Sequence, residues 1–540
     1  MKVSSFWIVI LVVCLLATGC QKAKSGIKPV SPEEIEGHIR FLSDDLLEGR
    51  QIGSPGLEIA ALYHENCFRG LGLDPLFDGE YRQALELRGC RADAEASLDV
   101  IGSGREWKLK RQEDFVITSL REDTPEGVEA ELVYAGFLIQ APERDWDDIK
   151  GVDLKGKALL VEVNEPGNFP GGIFDGEDMT YYGRWTYKFE KASDLGAAGV
   201  LIIHNTKGAA YGWDVIRNSW AGESFFLPDK KQGLFFQGWI QKGAAENIFA
   251  EAGTSRLRLQ AAAEKGDFVP RNLGLTVRIR QKPSFRSVSS ENVAAVLRGT
   301  HRDHRERYII LSAHFDHLGR DSELSGDQIY NGAVDNCSAS ACLLALARFY
   351  SQQPEGLKLN LVFLGATAEE KGLLGSDYFA RNLPFPNESV WANLNFEMTN
   401  VWGETEDVYG IGAKHSDLDD ICRRAAENIG LRYIPERDGE LGYFFRSDQL
   451  SFARAGIPAV WLHEGITSRG KDKDQIKKKH RQYRTSRYHK VADELEPDWD
   501  LSGTVQIAVW AGEIISLLSE TEALPGFSEH SSFRRPGGDR

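Results

Sequence analysis

The sequence is poor in the features that mark several large classes of protein. It has seven cysteines among 540 residues, and none forms a C-x-x-C pair, so neither a zinc ribbon nor a disulfide framework is indicated. It contains no G-x-S-x-G and no H-E-x-x-H motif, which excludes the usual signatures of serine hydrolases and single-zinc proteases. There are 80 Asp and Glu against 64 Lys and Arg, for a formal net charge of -16. Because phosphate binding needs a basic face, this balance predicts no nucleic-acid partner.

The composition is otherwise that of an ordinary globular protein. Hydrophobic residues make up 42% of the chain and charged residues 27%, enough to bury a sizeable core. The length suits more than one domain of roughly 100–200 residues. Five cysteines follow residue 20, and we expect most of them to be small core residues, with one disulfide left open: Cys67, Cys90, Cys337, Cys342 and Cys422.

The N-terminus has the pattern of an export signal. Lys2 precedes an apolar run at 6–16, and the small residues at 17–19 lead into Cys20. The run is shorter than the ~20 residues of a membrane-spanning helix. A cysteine directly after small residues resembles the bacterial lipoprotein signal, although Ala17 stands where that signal usually has Leu. We therefore expect export, with a lipid on Cys20 anchoring the protein to a membrane that faces the periplasm or the cell exterior.

The spacing of hydrophobic residues divides the rest of the chain into predicted strands and helices. In the C-terminal half, apolar and branched runs at 307–313, 359–364 and 457–462 alternate with amphipathic segments such as 339–350. That alternation predicts an α/β fold with a mostly parallel, buried sheet flanked by helices. The predicted divisions are a signal peptide at 1–20, an N-terminal part of the main domain at 21–120, an inserted β-rich module at 125–265, the main domain at 285–520, and a disordered tail at 525–540.

Several polar clusters come at or just after the ends of the predicted strands. Open α/β sheets place their ligands at this edge, so we expect these side chains to meet there. The clusters together supply imidazoles and several carboxylates, and like charges so close need a cation between them. Imidazole with carboxylate oxygen suits zinc, with manganese or cobalt as alternatives. The clusters are His314-Phe315-Asp316-His317, Asp335-Asn336, Glu369-Glu370, Glu397 and Tyr488-His489.

These clusters and their neighbours resemble metallopeptidase family 28, the co-catalytic zinc aminopeptidases and glutamate carboxypeptidases. The matching segments are 312–317, 332–336, 368–372, 395–398 and 488–489. The resemblance implies two zinc ions per chain, and it implies that the peptide bond between Asp335 and Asn336 is cis. It assigns Asp335 to both metals, His314 and Glu397 to one, and Glu370 and His489 to the other. It also implies Glu369 as general base, Asp316 as the residue that steadies His314, and Tyr488 as a donor to the oxyanion.

The inserted module resembles a protease-associated domain. The resemblance rests on the segments 154–158 and 196–202, and such a module generally lacks catalytic residues. Within it, Arg184 and Trp185 are expected to pack rather than to line the cleft. Ser447 and Asp448, in the main domain, are expected to cap a helix.

The chain departs from the family pattern at two positions. Many members have aspartate where this chain has Glu397, and an acidic residue where it has Val334. The carboxylate is kept at Glu397, so metal binding should persist while metal spacing or preference changes.

The resemblance favours an exopeptidase that removes N-terminal residues from peptides outside the cytoplasm. A carboxypeptidase or dipeptidase of the same family is the next alternative. A single-zinc acyltransferase like the glutaminyl cyclases and a non-catalytic receptor-like binding protein follow. Oligomeric state and side-chain preference stay open.

Overall fold

A computed structural model describes residues 30–102, 104–167, 172–220, 222–229, 233–301, 306–353 and 357–536. The predicted signal peptide, Cys20 and the last four residues of the predicted tail lie outside the described residues. Within those ranges, no helix combines the length and the apolar character that a membrane crossing requires. The five described cysteines are all free, and all but Cys67 are buried, as expected for core residues.

Helices and strands alternate along the main domain, as the sequence predicts. The helices are α1 (Pro32–Leu42), α2 (Pro55–Gly70), α3 (Trp185–Asp194), α4 (Thr206–Ala209), α5 (Trp213–Ser219), α6 (Lys242–Glu251), α7 (Arg256–Ala263), α8 (Ala339–Ser351), α9 (Leu374–Arg381), α10 (Leu418–Asn428), α11 (Gln449–Arg454), α12 (Gln475–Ser486) and α13 (Ser502–Glu520). The strands are β1 (Asp74–Pro75), β2 (Arg82–Arg91), β3 (Ser97–Gly102), β4 (Arg105–Lys108), β5 (Phe115–Thr118), β6 (Gly127–Tyr134), β7 (Gln140–Ala141), β8 (Trp146–Asp147), β9 (Ala158–Glu162), β10 (Gly199–His204), β11 (Glu223–Phe226), β12 (Phe236–Gln241), β13 (Arg271–Arg280), β14 (Ser284–Leu297), β15 (Tyr308–His314), β16 (Gly319–Arg320), β17 (Ile329–Tyr330), β18 (Asn360–Ala366), β19 (Val390–Asn395), β20 (Asp407–Ile411), β21 (Arg432–Tyr433) and β22 (Ala459–Glu464).

The main sheet has the order β11-β2-β14-β18-β15-β19-β22-β20-β21, with β1 paired to β14. Its centre, from β18 through β15 and β19 to β22, is parallel. Every residue of β15 and β18 is buried, which is the pattern of strands covered on both faces. Along β15, Ile309 and Leu311 enter one hydrophobic core while Tyr308 and Ile310 enter another. The predicted α/β fold is confirmed, and antiparallel strands on both sides of the parallel centre make the whole sheet mixed.

A second sheet forms the inserted module, in the order β4-β3-β13-β6-β9-β10-β12-β5. This module is wider than the predicted 125–265. β3 pairs with β13, and β5 pairs with β12, so strands before and after the predicted limits complete its sheet. The predicted N-terminal part of the main domain, at 21–120, is correspondingly shorter, since β2 is its last strand in the main sheet. Pairing between distant strands sets these limits, and the local sequence pattern does not carry that information.

Two terminal segments show what local sequence does and does not predict. Ser31 accepts a hydrogen bond from the backbone N–H of Glu34 and caps α1, with Pro32 at its first position, as predicted. At the other end, residues 525–536 differ from the predicted disordered tail. Phe527 and Phe533 are buried in a cluster with Phe444 and Phe445, and the apolar area that these two rings bury orders a segment otherwise rich in glycine, proline and charge.

Candidate metal centre

The predicted site residues meet at the carboxyl edge of the parallel strands. His314 is the last residue of β15, Glu369 and Glu370 follow β18, and Glu397 follows β19. Asp335 lies in the helical turn Ala333–Ser338 that leads into α8. Parallel strands present their carboxyl ends at one edge, so residues far apart in sequence come within contact distance. The peptide bond between Asp335 and Asn336 is cis, as the family resemblance implied.

His314, Asp335 and Glu397 form the first group of donors. His314 Nε2 lies 3.2 Å from Glu397 Oε1 and 3.4 Å from Asp335 Oδ1. All three side chains are buried, and their donor atoms lie within 4.8 Å of one another. One imidazole nitrogen and two carboxylate oxygens at this separation form a donor set that suits a divalent cation such as zinc.

A second group shares Asp335. His489 Nε2 lies 3.2 Å from Asp335 Oδ2 and 3.4 Å from Glu370 Oε2, so His489 approaches the carboxylates that the sequence assigns to it. His317 also reaches this group, with Nδ1 2.7 Å from Glu370 Oε1. No role was predicted for His317 from the sequence. Its position directly after Asp316, in the same polar cluster, was the available signal.

Neighbouring polar groups orient these donors. Asp316 accepts hydrogen bonds from the backbone N–H groups of Glu369 and Glu370, at 3.1 and 3.4 Å. Its Oδ1 is 3.7 Å from His314 Nδ1, whereas its backbone oxygen is nearer, at 3.2 Å. Asp316 therefore holds the turn that carries the two glutamates as well as standing beside His314.

Asp493 supports the shared carboxylate, and the sequence analysis did not identify it. It accepts hydrogen bonds from the backbone N–H groups of Val334 and Asp335, at 3.0 and 3.1 Å, and from the hydroxyl of Tyr483, at 2.9 Å. It is fully buried. The one feature of the sequence that could have indicated this role is the position of Asp493, four residues after His489.

The prediction that Ser447 and Asp448 cap a helix is wrong for their side chains. Asp448 precedes α11 without a capping hydrogen bond from its side chain, and Ser447 donates a 2.7 Å hydrogen bond to Glu397 Oε2. The acceptor of that bond lies on another element, so the residues around Ser447 in sequence could not reveal it.

The electrostatics reflect a surplus of carboxylates. Burial raises the pKa of Glu369 well above its usual range, and the charges of Glu397 and Glu370 add to the shift. Burial opposes protonation of His314, yet Glu397 and Glu369 together raise its pKa well above the usual value. Burial raises the pKa of Asp448 to about 7, with Glu397 adding to the shift. Buried negative charge of this density favours a cation at its centre.

A cavity of about 550 Å³ opens onto this centre and is lined by Glu369, Glu397 and His489. Tyr488 lies at its wall, and its ring stacks on that of His489 at a centroid distance of 4.0 Å. Arg184 and Trp185 of the inserted module line the same cavity, which differs from the expectation that they only pack. The module therefore forms part of the wall around the candidate site.

A third group of possible donors lines another part of this cavity. His480 Nε2 lies 2.5 Å from Glu464 Oε1, and His463 Nδ1 lies 3.4 Å from Glu464 Oε2. His463 also contacts the backbone oxygen of Glu464, at 2.7 Å. His463, Glu464 and His480 therefore contact one another at the cavity wall.

Comparison with known proteins gives a consistent result. Residues 292–512 match the model of peptidase family M28. Aminopeptidase YwaD of Bacillus subtilis (strain 168) is 24% identical over 315 residues, which cover 57% of this chain and 53% of the relative. Leupeptin-inactivating enzyme 1 of Streptomyces exfoliatus is 30% identical over 142 residues, covering 26% of this chain and 31% of the relative. The chain thus spans about half or less of the length of these curated relatives.

Among solved structures, an aminopeptidase from Aneurinibacillus sp. strain AM-1 superposes with a TM-score of 0.52 at 22% identity. The match covers 91% of this chain and 94% of that one. The two chains share a fold across both the main domain and the inserted module.

Proposed function

We propose that this chain, which matches the model of peptidase family M28 over residues 292–512, is a two-zinc exopeptidase that removes N-terminal residues from peptides. The observation that carries the proposal is the pair of histidine–carboxylate groups that share Asp335 at one edge of the main sheet. Aminopeptidase YwaD is named for this reaction, and the other curated relative is named as a leupeptin-inactivating enzyme, which supports the choice of reaction.

The donor set fits two zinc ions. His314 and Glu397 would hold one, Glu370 and His489 the other, and Asp335 would serve both, since its two oxygens face different histidines. Zinc commonly takes imidazole nitrogen together with carboxylate oxygen. When bound, such a pair of metals lowers the pKa of water and polarises the scissile carbonyl.

Glu369 has the position of a general base. It lines the cavity, and its Oε2 lies 3.8 Å from His314 Nε2, beside the donor groups without being one of them. As carboxylate it would take a proton from the attacking water and then pass that proton to the leaving amine. Because burial raises the pKa of Glu369, its carboxyl can hold the proton between the two steps.

Tyr488 and Asp316 would have supporting roles. The ring of Tyr488 lies on His489 at the cavity wall, so its hydroxyl can donate to an oxyanion that develops at the metal centre. Asp316 would hold His314 and the turn of Glu369 in their relative positions through the hydrogen bonds described above.

Two measurements together test the proposal. Elemental analysis gives the zinc content per chain, and a panel of aminoacyl anilides shows whether hydrolysis occurs before and after chelation. Two zinc ions and chelator-sensitive cleavage are the expected result. Two zinc ions without cleavage of any anilide would favour the carboxypeptidase or dipeptidase alternatives. One zinc ion per chain would favour the glutaminyl-cyclase-like alternative, and a chain that binds no zinc would contradict the proposal.

We further propose that the protein is exported and held at a membrane by a lipid on Cys20, facing the periplasm or the cell exterior. The support is the sequence pattern at 2–20. Metabolic labelling with a fatty acid is expected to label the wild type and the C67A variant but not the C20A variant. Equal labelling of C20A would contradict the proposal.

A further inference from the structure

Two arginines from different parts of the fold line the cavity without a carboxylate partner. Arg184 comes from the inserted module, just before α3, and Arg446 comes from the main domain, directly before Ser447. Neither guanidinium takes part in an ion pair with any described residue. By contrast, Arg454 on the same wall pairs with Glu190 at 2.8 Å.

Some of the guanidinium nitrogens of both arginines have no partner among the described residues. Arg184 Nε, and Nε and Nη2 of Arg446, are buried and have no hydrogen-bond partner among the described residues. Each guanidinium lies over an aromatic ring, Arg184 over Trp185 at 6.0 Å and Arg446 over Tyr443 at 5.7 Å. Burial of an unpaired charge is costly unless another group satisfies it.

The two charges also act on each other. Burial, together with the nearby positive charge of Arg446, lowers the pKa of Arg184 to about 10. Two cations drawn together in this way form a site that an anion would stabilise. A guanidinium presents parallel N–H groups that match the two oxygens of a carboxylate.

We propose that Arg184 and Arg446 bind a carboxylate of the substrate, so that the enzyme prefers short peptides with a negative charge close to the scissile bond. This inference rests on the proposed peptidase function. Arg446 lies close to the metal centre, because Ser447, the next residue in the chain, donates a 2.7 Å hydrogen bond to Glu397. The charge of the substrate should therefore lie close to the bond that is cleaved. A cavity of about 550 Å³ is of a size that encloses a small ligand and not a long peptide.

The carboxylate has two chemical sources, an acidic side chain or the C-terminus of a dipeptide. Four substrates with the same N-terminal residue separate them. Leu-Asp-amide carries the charge on a side chain, with Leu-Asn-amide as its neutral match, and Leu-Gly carries it at the C-terminus, with Leu-Gly-amide as its match. Hydrolysis of the neutral amides reports on the peptidase function alone.

For the wild type we expect kcat/KM about tenfold or more higher for at least one charged substrate than for its neutral match, equal to about 1.4 kcal/mol. The pair that shows the difference identifies the source of the carboxylate. In R184M and R446M the ratio of kcat/KM for the charged substrate to kcat/KM for its neutral match should fall to about one. R217M removes a cation from the module surface, away from the cavity, and should keep the advantage.

Neutral amides cleaved with no advantage for either charged substrate would overturn the inference and leave the proposed function intact. So would an advantage that survives in both R184M and R446M. If R446M does not fold, R184M carries the test, because the neutral amides verify its folding. Failure to cleave any of the four substrates would instead contradict the exopeptidase function itself.

Discussion

The shared carboxylate of Asp335 depends on Asp493, a residue outside the two donor groups. Its two oxygens face His314 and His489, while its own backbone N–H is held by Asp493. Partners of this kind fix the orientation of a ligand and tune its affinity for metal. At the scale of single residues, the proposed site therefore separates into groups that would bind metal, one that would move a proton, and others that hold these in place.

Replacing Glu369 by glutamine tests the proton-transfer role. The amide has the shape of the carboxylate but cannot accept the proton, so kcat should fall by ~10²–10⁴-fold while zinc content and melting temperature are kept. The measurement is kcat on the best aminoacyl anilide, with E323Q, a change at an exposed glutamate, as the matched control. Full turnover by E369Q would assign the base to another residue.

Replacing Asp493 by asparagine tests the positioning role. Asp493 accepts hydrogen bonds from Val334, Asp335 and Tyr483. The NH₂ group of an asparagine would face one of these donors and could not accept its hydrogen bond, so the segment that carries Asp335 should loosen. We expect zinc affinity, measured by competition with a chelator, to fall ~10–100-fold. At saturating zinc kcat should recover, which a folding defect would not permit. D498N, at an exposed aspartate, is the control, and unchanged affinity in D493N would contradict the role.

At the scale of elements, α2 carries a buried histidine against the end of β15. His64 is fully buried, its ring lies 5.0 Å from that of Phe315, and its Nδ1 is 2.8 Å from the backbone oxygen of Ala60. Burial lowers its pKa from 6.5 to about 4. The helix thus packs through a neutral imidazole against Phe315, the residue that follows His314 in the chain.

The lowered pKa of His64 predicts that acid weakens this packing. Between pH 6.5 and about 4 the unfolded chain binds a proton on His64 and the folded chain does not, so stability is full above pH 6.5 and falls as pH drops towards 4. The loss is at most about 3 kcal/mol. Urea unfolding at pH 7 and pH 4 should show a smaller loss in H64L than in the wild type. H530L, at an exposed histidine, is the control, and identical losses in H64L and wild type would contradict the prediction.

At the scale of the whole molecule, the chain has separate hydrophobic cores. The main sheet packs on two of them, and the inserted module has its own. The module nevertheless reaches the main domain, because β11 pairs with β2 at the edge of the main sheet and Arg184 lines the cavity. We expect two unfolding transitions, one for each sheet, since each has enough buried area to fold cooperatively.

A buried ion pair of the module distinguishes the two transitions. Arg256 Nη2 lies 2.5 Å from Glu162 Oε2, and both side chains are almost wholly buried. R256M would leave Glu162 buried and unpaired, which costs about 3–5 kcal/mol. Calorimetry should show that the module transition moves down while that of the main domain stays. R278M, which removes a more exposed ion pair of the same sheet, is the control. Equal shifts of both transitions in R256M would mean that the two cores unfold as one.

The sequence by itself determined the elements and the chemistry of the centre. Continuous apolar runs such as those of β15 and β18 are local signals, because a parallel strand is buried along its whole length. The polar clusters follow those strands directly, so their meeting at one edge was predictable from His314, Glu369 and Glu397.

Only the tertiary structure decided what depends on contacts between distant segments. The limits of the module follow from the pairing of β3 with β13, and the support of Asp335 follows from Asp493, which approaches from a different part of the chain. The proximity of Arg184 to Arg446 at the cavity wall belongs to the same class. Hydrogen bonds and charges act over a few ångströms in space, and no local pattern in the sequence records which distant residues will share that space.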